Sequence, residues 1–207
     1  MSRRPAIFLD KDGTLVRNVP YNISPERIEL APGAEVGLPL LAAAGYRLVV
    51  ISNQSGIARG YFNEDALDAV RRRISELLEG IGVQLDGFYY CPHHPAGSVA
   101  DFALECDCRK PKPGLLVRAA HELDIELSSS WMIGDILDDV EAGHSAGCNS
   151  LLLVNGGETE WQLSAARIPD AVADDLAEAA RDIRGDLPRR SFQNPYSFSH
   201  AGRAAHV

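Results

Sequence analysis

Residues 6–14, Ala-Ile-Phe-Leu-Asp-Lys-Asp-Gly-Thr, decide the fold of this 207-residue chain. A short apolar run closed by Asp and Gly is typical of a buried strand that ends in a tight loop. Open α/β sheets place their ligand sites at the carboxyl ends of strands, so Asp10 and Asp12 are predicted to lie at such a site. Gly13 allows the backbone to turn there without a Cβ clash. The alternative is an acidic turn that caps the following segment.

The two carboxylates have the chemistry that phosphoryl transfer needs. Asp10 can attack a phosphorus atom and carry the phosphoryl group as an acyl-phosphate. Asp12 can protonate the departing oxygen and later accept a proton from the hydrolytic water. We therefore treat Asp10 as a candidate nucleophile and Asp12 as a candidate general acid and base.

The composition bounds the class of protein. With 45% hydrophobic residues the chain can bury a sizeable core, and its length permits one or two domains. A net charge of −9 disfavours a protein that binds nucleic acid or an anionic membrane. No apolar run approaches the length of a transmembrane helix. The apolar stretch after the basic start is too short for a signal peptide, so we expect a cytoplasmic protein.

Apolar runs alternate with helix-like segments along the chain, which predicts a Rossmann-like, doubly wound, mostly parallel sheet flanked by helices. No gap between these elements is long enough for a separate cap domain. We expect one domain over residues 1–184 and a flexible C-terminal tail over 185–207, where Pro, Arg, Ser and Asn replace the periodic pattern. The predicted strands are 5–9, 46–51, 87–90, 130–133, 150–154 and 171–173. The predicted helices are 32–44, 64–79 with Asn63 as N-cap, 113–123, 137–146 and 176–183.

Two further polar stretches have the residue types of a phosphate site. Ser52-Asn53 follows the second predicted strand and can hold a phosphoryl oxygen, although the same residues are common turn formers. Arg109 and Lys110 lie in a basic run of an acidic chain. Lys110 can neutralise the charge that builds during phosphoryl transfer. Arg109 can bind a second phosphate through its planar guanidinium group. A solvated basic loop is the alternative.

Asp135 ends the fourth predicted strand and can share a Mg²⁺ ion with Asp10, since this ion prefers oxygen ligands. Asp138 and Asp139 are assigned instead to the start of the next helix, whose positive end they favour.

A Cys-x-His pair, Cys91 and His93, is separated by twelve residues from a Cys-x-Cys pair, Cys106 and Cys108. Three thiolates and one imidazole suit a closed, tetrahedral Zn²⁺ site, which is structural and pins the loop that precedes Arg109 and Lys110. A disulfide, free thiols, and His94 in place of His93 are the alternatives.

Taken in order, these motifs resemble those of the haloacid-dehalogenase-like phosphatases across residues 6–184. The matching stretches are FLDKDGT (8–14), SNQSGIARG (52–60), DGFYYCPHHPAGSV (86–99), CDCRKPKPG (106–114) and MIGD (132–135). Within that superfamily the chain is similar to the phosphatases that remove the C7 phosphate of D-glycero-D-manno-heptose 1,7-bisphosphate. The resemblance implies Mg²⁺-dependent hydrolysis through an aspartyl-phosphate and a structural zinc.

The resemblance also implies roles for individual residues. Asp10 would be the nucleophile and Asp12 the general acid and base, and Mg²⁺ would be held by Asp10, the carbonyl of Asp12 and Asp135. Ser52 and Lys110 would hold the transferring phosphoryl group, and Arg109 would recognise the remaining phosphate. The residues that would line the sugar site are Asn18, Val19, Pro20, Tyr21, Ser52, Asn53, Gln54 and Ser55. The family often has Lys where this chain has Ile136, which removes one possible phosphate contact.

Two other functions remain open from the sequence. A histidinol-phosphate phosphatase shares the carboxylates and a related zinc site, but the twelve-residue spacer and residues 55–60 favour the heptose enzymes. A zinc module that only binds a sugar phosphate would gain nothing from two carboxylates beside that phosphate. We therefore expect a monomeric enzyme that acts on a small sugar bisphosphate.

Overall fold

The computed structural model describes residues 3–193, which form three layers, a sheet between two sets of helices. The strands are β1 Ala6–Leu9, β2 Arg47–Asn53, β3 Gly87–Cys91, β4 Trp131–Gly134, β5 Asn149–Leu153 and β6 Ala171–Ala173. They form one sheet in the order β3-β2-β1-β4-β5-β6, and every neighbouring pair is parallel. The predicted fold class, a Rossmann-like parallel sheet flanked by helices, is confirmed.

Strand β1 is apolar throughout because it is buried on both faces. Ile7 and Leu9 pack among side chains of the first, second and fifth helices, whereas Ala6 and Phe8 pack on the other face with the third and fourth. A strand covered on both sides needs no polar face, and so its sequence shows no alternation. The helices are α1 Ala34–Ala43, α2 Ala66–Gly80, α3 Gly114–Glu122, α4 Leu137–Ala146 and α5 Leu176–Arg184.

Helix α2 begins two residues later than the sequence predicts. The predicted cap, Asn63, does accept a hydrogen bond from the backbone N–H of Ala66, at 3.3 Å, but it does so from the turn before the helix. The buried face of the helix is the predicted one, since Val70, Ile74 and Leu78 enter the core.

Four long connections lie at the carboxyl-end edge of the sheet, and they carry most of the polar motifs. These are residues 10–33 after β1, 54–65 after β2, 92–113 after β3 and 154–170 after β5. Within residues 3–193, none of them contains an α-helix or a strand of the sheet, so the described chain has no separate cap domain, as predicted. No helix in this described range has the length and apolar character needed to cross a bilayer.

Part of the segment 186–193, which the sequence assigns to the tail, contacts the outer edge of β6 and the residues beside it. The backbone N–H of Val172 donates to the carbonyl of Arg190 at 3.0 Å. The ring of Phe192 stacks on Trp161 with centroids 5.9 Å apart, and the Arg190 guanidinium pairs with Asp174 at 2.6 Å. The remainder of the predicted tail, residues 194–207, lies outside the described residues.

Candidate active site

Lys110 lies at the centre of the site although it belongs to a loop. Its side chain is only 2% exposed, and its ammonium donates to Asp10 Oδ1 at 2.6 Å and to the carbonyl of Ile51 at 2.9 Å. A second carboxylate, Asp139, pairs with the same nitrogen at 2.6 Å. Burial favours the neutral amine, but the charges of Asp10 and Asp139 outweigh it and hold the pKa of Lys110 above its ordinary value. Lys110 is therefore a buried cation.

Asn53 fixes the backbone of Lys110. Its Oδ1 accepts a hydrogen bond from the Lys110 backbone N–H at 3.0 Å, and its Nδ2 donates to the Lys110 carbonyl at 3.1 Å. Asn53 is the last residue of β2, so these two bonds tie the loop 92–113 to the sheet. The sequence predicts Asn53 to line the sugar site, and the structure shows that its amide is engaged with the protein backbone.

Asp139 is a site residue that the sequence analysis assigned to helix capping. One carboxylate oxygen does accept from the backbone N–H of Ile136 at 3.4 Å, but the other pairs with Lys110. Burial raises the pKa of this carboxyl, against the opposing effect of Lys110. The local sequence contains no signal for this role, because Asp139 lies in the first turn of the helix Leu137–Ala146, where a carboxylate fits helix capping equally well.

The residues around Asp10 fit a divalent cation with oxygen ligands. One carboxylate oxygen each from Asp10, Asp135 and Asp139 lie within 4.8 Å of one another. Burial, and then the negative charges of Asp10 and Asp139, raise the pKa of Asp135 to about 8. A Cβ on Gly13, where φ is +88°, would lie 2.1 Å from Asp135 Oδ2, so only glycine permits this approach. Close, repelling carboxylates are a donor set that suits Mg²⁺.

Asp12 has a setting distinct from that of Asp10. The buried Lys11 ammonium donates to Asp12 Oδ1 at 2.7 Å, and Gln54 Nε2 lies 3.4 Å from Oδ2. Burial is the largest effect on this carboxyl, and it raises the pKa of Asp12 although Lys11 opposes it. A raised pKa favours the protonated form that a general acid must have.

Ser52 is buried at the end of β2 and is oriented by the side chain of Gln54. Gln54 Nε2 donates to the Ser52 hydroxyl oxygen at 2.7 Å. Because that oxygen already accepts a hydrogen bond, the hydroxyl proton is available to an oxygen of a bound phosphate.

A polar pocket of about 270 Å³ opens beside Asp12. The loop after β1 and the loop after β2 form its walls, and they touch where the ring of Tyr21 meets Tyr61 edge-to-face at 4.7 Å. Three of the four predicted residues from the first loop line it, and Val19 does not. The lining residues are Lys11, Asp12, Asn18, Pro20, Tyr21, Asn22, Asn53, Gln54, Ser55 and Gly56. Lys11, Asn22 and Gly56 line the pocket as well and were not predicted from the sequence.

The four predicted zinc ligands come together in one cluster. The Sγ atom of Cys108 lies 3.1 Å from that of Cys91, 3.2 Å from that of Cys106 and 3.3 Å from His93 Nδ1. The Sγ atoms of Cys91 and Cys106 are 3.5 Å apart. These separations exceed a disulfide bond of about 2.05 Å and are near the edges of a zinc-sized tetrahedron. The residues therefore fit a closed zinc site, with His93 rather than His94 as its nitrogen ligand.

Arg109 points away from Lys110. Its guanidinium Nη1 donates to the carbonyl of His93 at 3.4 Å, whereas the Lys110 ammonium lies on Asp10. The two neighbouring side chains therefore enter different surroundings, beside the zinc cluster and beside the nucleophile.

Comparison with known proteins agrees with this site. Residues 107–179 match a family model described as HAD-hydrolase-like. Three features define the class of the protein as a haloacid-dehalogenase-like hydrolase. They are this match, the order of the strands, and the carboxylates gathered around Lys110.

Full-length relatives narrow the class further. A D-glycero-beta-D-manno-heptose-1,7-bisphosphate 7-phosphatase from Pasteurella multocida is 40% identical over 182 residues, which are 88% of this chain and 98% of that protein. The enzyme of the same name from Escherichia coli strain K12 is 40% identical over 178 residues, covering 81% and 93%. The structure of D,D-heptose 1,7-bisphosphate phosphatase from B. bronchiseptica, complexed with magnesium and phosphate, is 29% identical, covers 88% of this chain and 99% of that chain, and superposes with a TM-score of 0.71. The chain belongs to the family of D-glycero-beta-D-manno-heptose-1,7-bisphosphate 7-phosphatases.

Proposed function

We propose that this protein hydrolyses the C7 phosphate of D-glycero-beta-D-manno-heptose 1,7-bisphosphate and leaves the heptose 1-phosphate. The observation that carries the proposal is the buried ammonium of Lys110, held 2.6 Å from Asp10 at the end of β1. A fixed cation beside a carboxylate is what a nucleophile needs when its target is a phosphate dianion. The names of the relatives supply the sugar and its anomer.

Asp10 forms the covalent intermediate. Its carboxylate oxygen attacks phosphorus, the bond from phosphorus to the C7 oxygen breaks, and an aspartyl-phosphate results. The charge of the Lys110 ammonium stabilises the phosphoryl oxygens, the hydroxyl of Ser52 donates to one of them, and together they hold the group in line.

Asp12 moves the protons. It gives its proton to the C7 oxygen as that oxygen leaves. It then takes a proton from the water that attacks the aspartyl-phosphate, which releases inorganic phosphate and restores the Asp10 carboxylate. The Asp12 side chain stays in one place for both steps because Lys11 and Gln54 hold its two oxygens.

Asp10, Asp135 and the carbonyl oxygen of Asp12 would hold a magnesium ion, whose charge offsets the repulsion between the attacking carboxylate and the phosphate. Asp139, which pairs with Lys110 at 2.6 Å, is left out of this proposed set. The zinc ligands Cys91, His93, Cys106 and Cys108 would hold a structural zinc that keeps the loop 92–113 in place.

The polar pocket between residues 18–22 and 53–56 would receive the sugar, and Arg109 would bind the phosphate that is not cleaved. We also propose that residues 1–184 act as one domain and that the protein works as a monomer in the cytoplasm, without nucleic acid or membrane.

Phosphate release tests this function directly. We expect the highest kcat/KM on the beta anomer of heptose 1,7-bisphosphate, a lower value on the alpha anomer, and a much lower value on histidinol phosphate. Activity should disappear with a chelator and return when Mg²⁺ is added. A higher kcat/KM on histidinol phosphate would contradict the heptose proposal, and a folded protein that hydrolyses none of these compounds would favour a binding module.

A further inference from the structure

Three nitrogen-bearing side chains, Arg59, His94 and Arg109, form a group that we call the cation cluster. Nη2 of Arg59 lies 3.4 Å from Nε2 of His94. Nη1 of Arg109 donates to the carbonyl of His93, the residue before His94, at 3.4 Å, so a second guanidinium lies beside this part of the loop. Arg59 comes from the loop after β2, and the other two come from the loop after β3.

Arg59 and His94 face one another with donor groups, without an acceptor between them. The backbone N–H of Ala96 donates to His94 Nδ1 at 3.1 Å, so the ring proton lies on Nε2. The Nε2–H of His94 and the N–H groups at Nη2 of Arg59 then face each other, and neither can accept a hydrogen bond from the other. The Nε of Arg59 is also buried without a hydrogen-bond partner among the described residues. Buried donors of this kind are normally satisfied, which points to an acceptor from outside the chain.

The positive charge of the cation cluster is also not neutralised locally. Within residues 3–193, no carboxylate lies within 4.0 Å of the guanidinium of Arg59 or Arg109, whereas the exposed Arg118 pairs with Glu122 at 2.8 Å. Uncompensated arginines in a chain of net charge −9 concentrate a positive field where an anion can bind.

Backbone hydrogen bonds hold the two loops together at this point. The N–H groups of Ser98 and Val99 both donate to the carbonyl of Ala58, at 2.8 and 2.9 Å, and the Ser98 hydroxyl donates to the carbonyl of Arg59 at 3.0 Å. Arg59 is therefore fixed against the loop that carries His94, and little ordering is needed when a ligand arrives.

We propose that Arg59 and His94 are specificity-determining residues that bind, together with Arg109, the phosphate of the substrate that is not cleaved. The inference rests on the proposed function, because only a bisphosphate offers a second dianion while its first lies at Asp10. Arg109 directly precedes Lys110, so one short stretch of loop joins the two phosphate sites. The planar guanidinium of each arginine can donate two parallel hydrogen bonds to the oxygens of a phosphate.

The test compares kcat/KM on heptose 1,7-bisphosphate with kcat/KM on the 7-phosphate of the same heptose. Arg59→Ala should lower the value for the bisphosphate by about 10–100-fold, as expected for loss of a charge-assisted hydrogen bond, and lower that for the monophosphate much less. Arg59→Lys should restore part of the loss. His94→Gln, which keeps a donor near Nε2, should lose less than His94→Ala. Arg72→Ala, at an exposed arginine of α2, is the matched control.

Zinc content is measured for each His94 variant, since His93 is a zinc ligand candidate, and kcat/KM is compared at equal zinc occupancy. If the wild-type enzyme prefers the bisphosphate but Arg59→Ala loses the same factor on both substrates, the inference is overturned and the proposed function stands. If the wild-type enzyme shows no preference for the bisphosphate, the proposed function fails and the inference fails with it.

Discussion

Lys110 keeps its charge in the interior because two carboxylates share it. Removing an ammonium from water costs several kcal/mol, and only close, well-oriented partners offset that cost. Asp10 and Asp139 both lie 2.6 Å from its nitrogen, and the carbonyl of Ile51 accepts a further hydrogen bond. The contacts that stabilise the buried charge also place it beside the nucleophile, so stability and chemistry depend on the same side chain.

We expect Asp10→Asn to lower turnover by more than about 1000-fold while the fold persists. An amide cannot form an acyl-phosphate, but it fills the same space, and Lys110 retains its pairing with Asp139. Turnover and circular dichroism of the purified variant check this. Asp65→Asn makes the same change at an exposed carboxylate and should leave turnover unaltered. A near-normal rate in folded Asp10→Asn would exclude Asp10 as the nucleophile.

Asn53→Ala should lower kcat on every substrate by about 10–100-fold with little change in KM. Without the two bonds to its backbone, Lys110 is no longer held in register with Asp10, and small displacements at a reacting centre are costly. Asn149→Ala is the matched control, because that amide also donates to a backbone carbonyl, of Ser130, away from the site. An effect confined to KM would indicate instead that Asn53 binds the sugar.

At the scale of elements, the cysteine and histidine cluster joins the two ends of the loop 92–113. Cys91 ends β3, and Cys106 and Cys108 approach it just before Arg109 and Lys110. The core on the face of the sheet that packs on α1, α2 and α5, by contrast, contains no residue of this loop. Metal in the cluster is therefore expected to determine the position of Lys110 more than the stability of the fold.

Cys106→Ala should release the zinc and lower kcat/KM by at least about tenfold, whereas the Tm should fall by only a few degrees. The loop then loses the anchor that places Lys110. Metal content, kinetics and thermal unfolding are measured beside Cys148→Ala, which removes a thiol outside the cluster. Purified Cys106→Ala that keeps both its zinc and its activity would contradict a structural metal site here.

For the whole molecule, the outer edge of the sheet is closed by the C-terminal segment. Strand β6 has one neighbour in the sheet, β5, and its other side receives residues 186–193. An uncovered edge strand can pair with another molecule, so such edges are usually protected. Phe192, stacked on Trp161, also covers a small apolar cluster around Leu152 and Val172.

A chain that ends at Asp186 should have a Tm about 3–10 °C lower than a chain that ends at Gln193. The shorter chain loses three contributions to stability: the apolar area that Phe192 buries, the ion pair of Arg190, and the backbone hydrogen bond to Val172. Thermal unfolding of the two chains, both of which lack residues 194–207, measures this. Equal Tm values would mean that residues 187–193 contribute nothing to stability.

The sequence by itself determined the order of the helices and strands and the chemistry at their ends. The apolar run 6–9 and the helical periodicity of Val70, Ile74 and Leu78 are local patterns. A strand buried on both faces is apolar throughout, and a helix with one buried face repeats apolar residues every three or four positions, so both patterns can be recognised in the sequence. Asp10 and Asp12 follow β1 directly, and Cys91, His93, Cys106 and Cys108 have a spacing that predicts their cluster. In each case the chemistry follows from residues that are near one another in the chain.

Only the tertiary structure decided which distant side chains act together. Asp139 pairs with Lys110, Asn53 clamps the backbone of that lysine, and Arg59 faces His94 from another loop. Arg190 and Phe192 likewise contact β6 and Trp161, although the composition of their segment predicted a flexible tail. These contacts depend on how loops from different strands meet at one edge of the sheet. A side chain such as that of Asp139 caps a helix or pairs with a buried cation according to its neighbours in space, and the local sequence does not contain those neighbours.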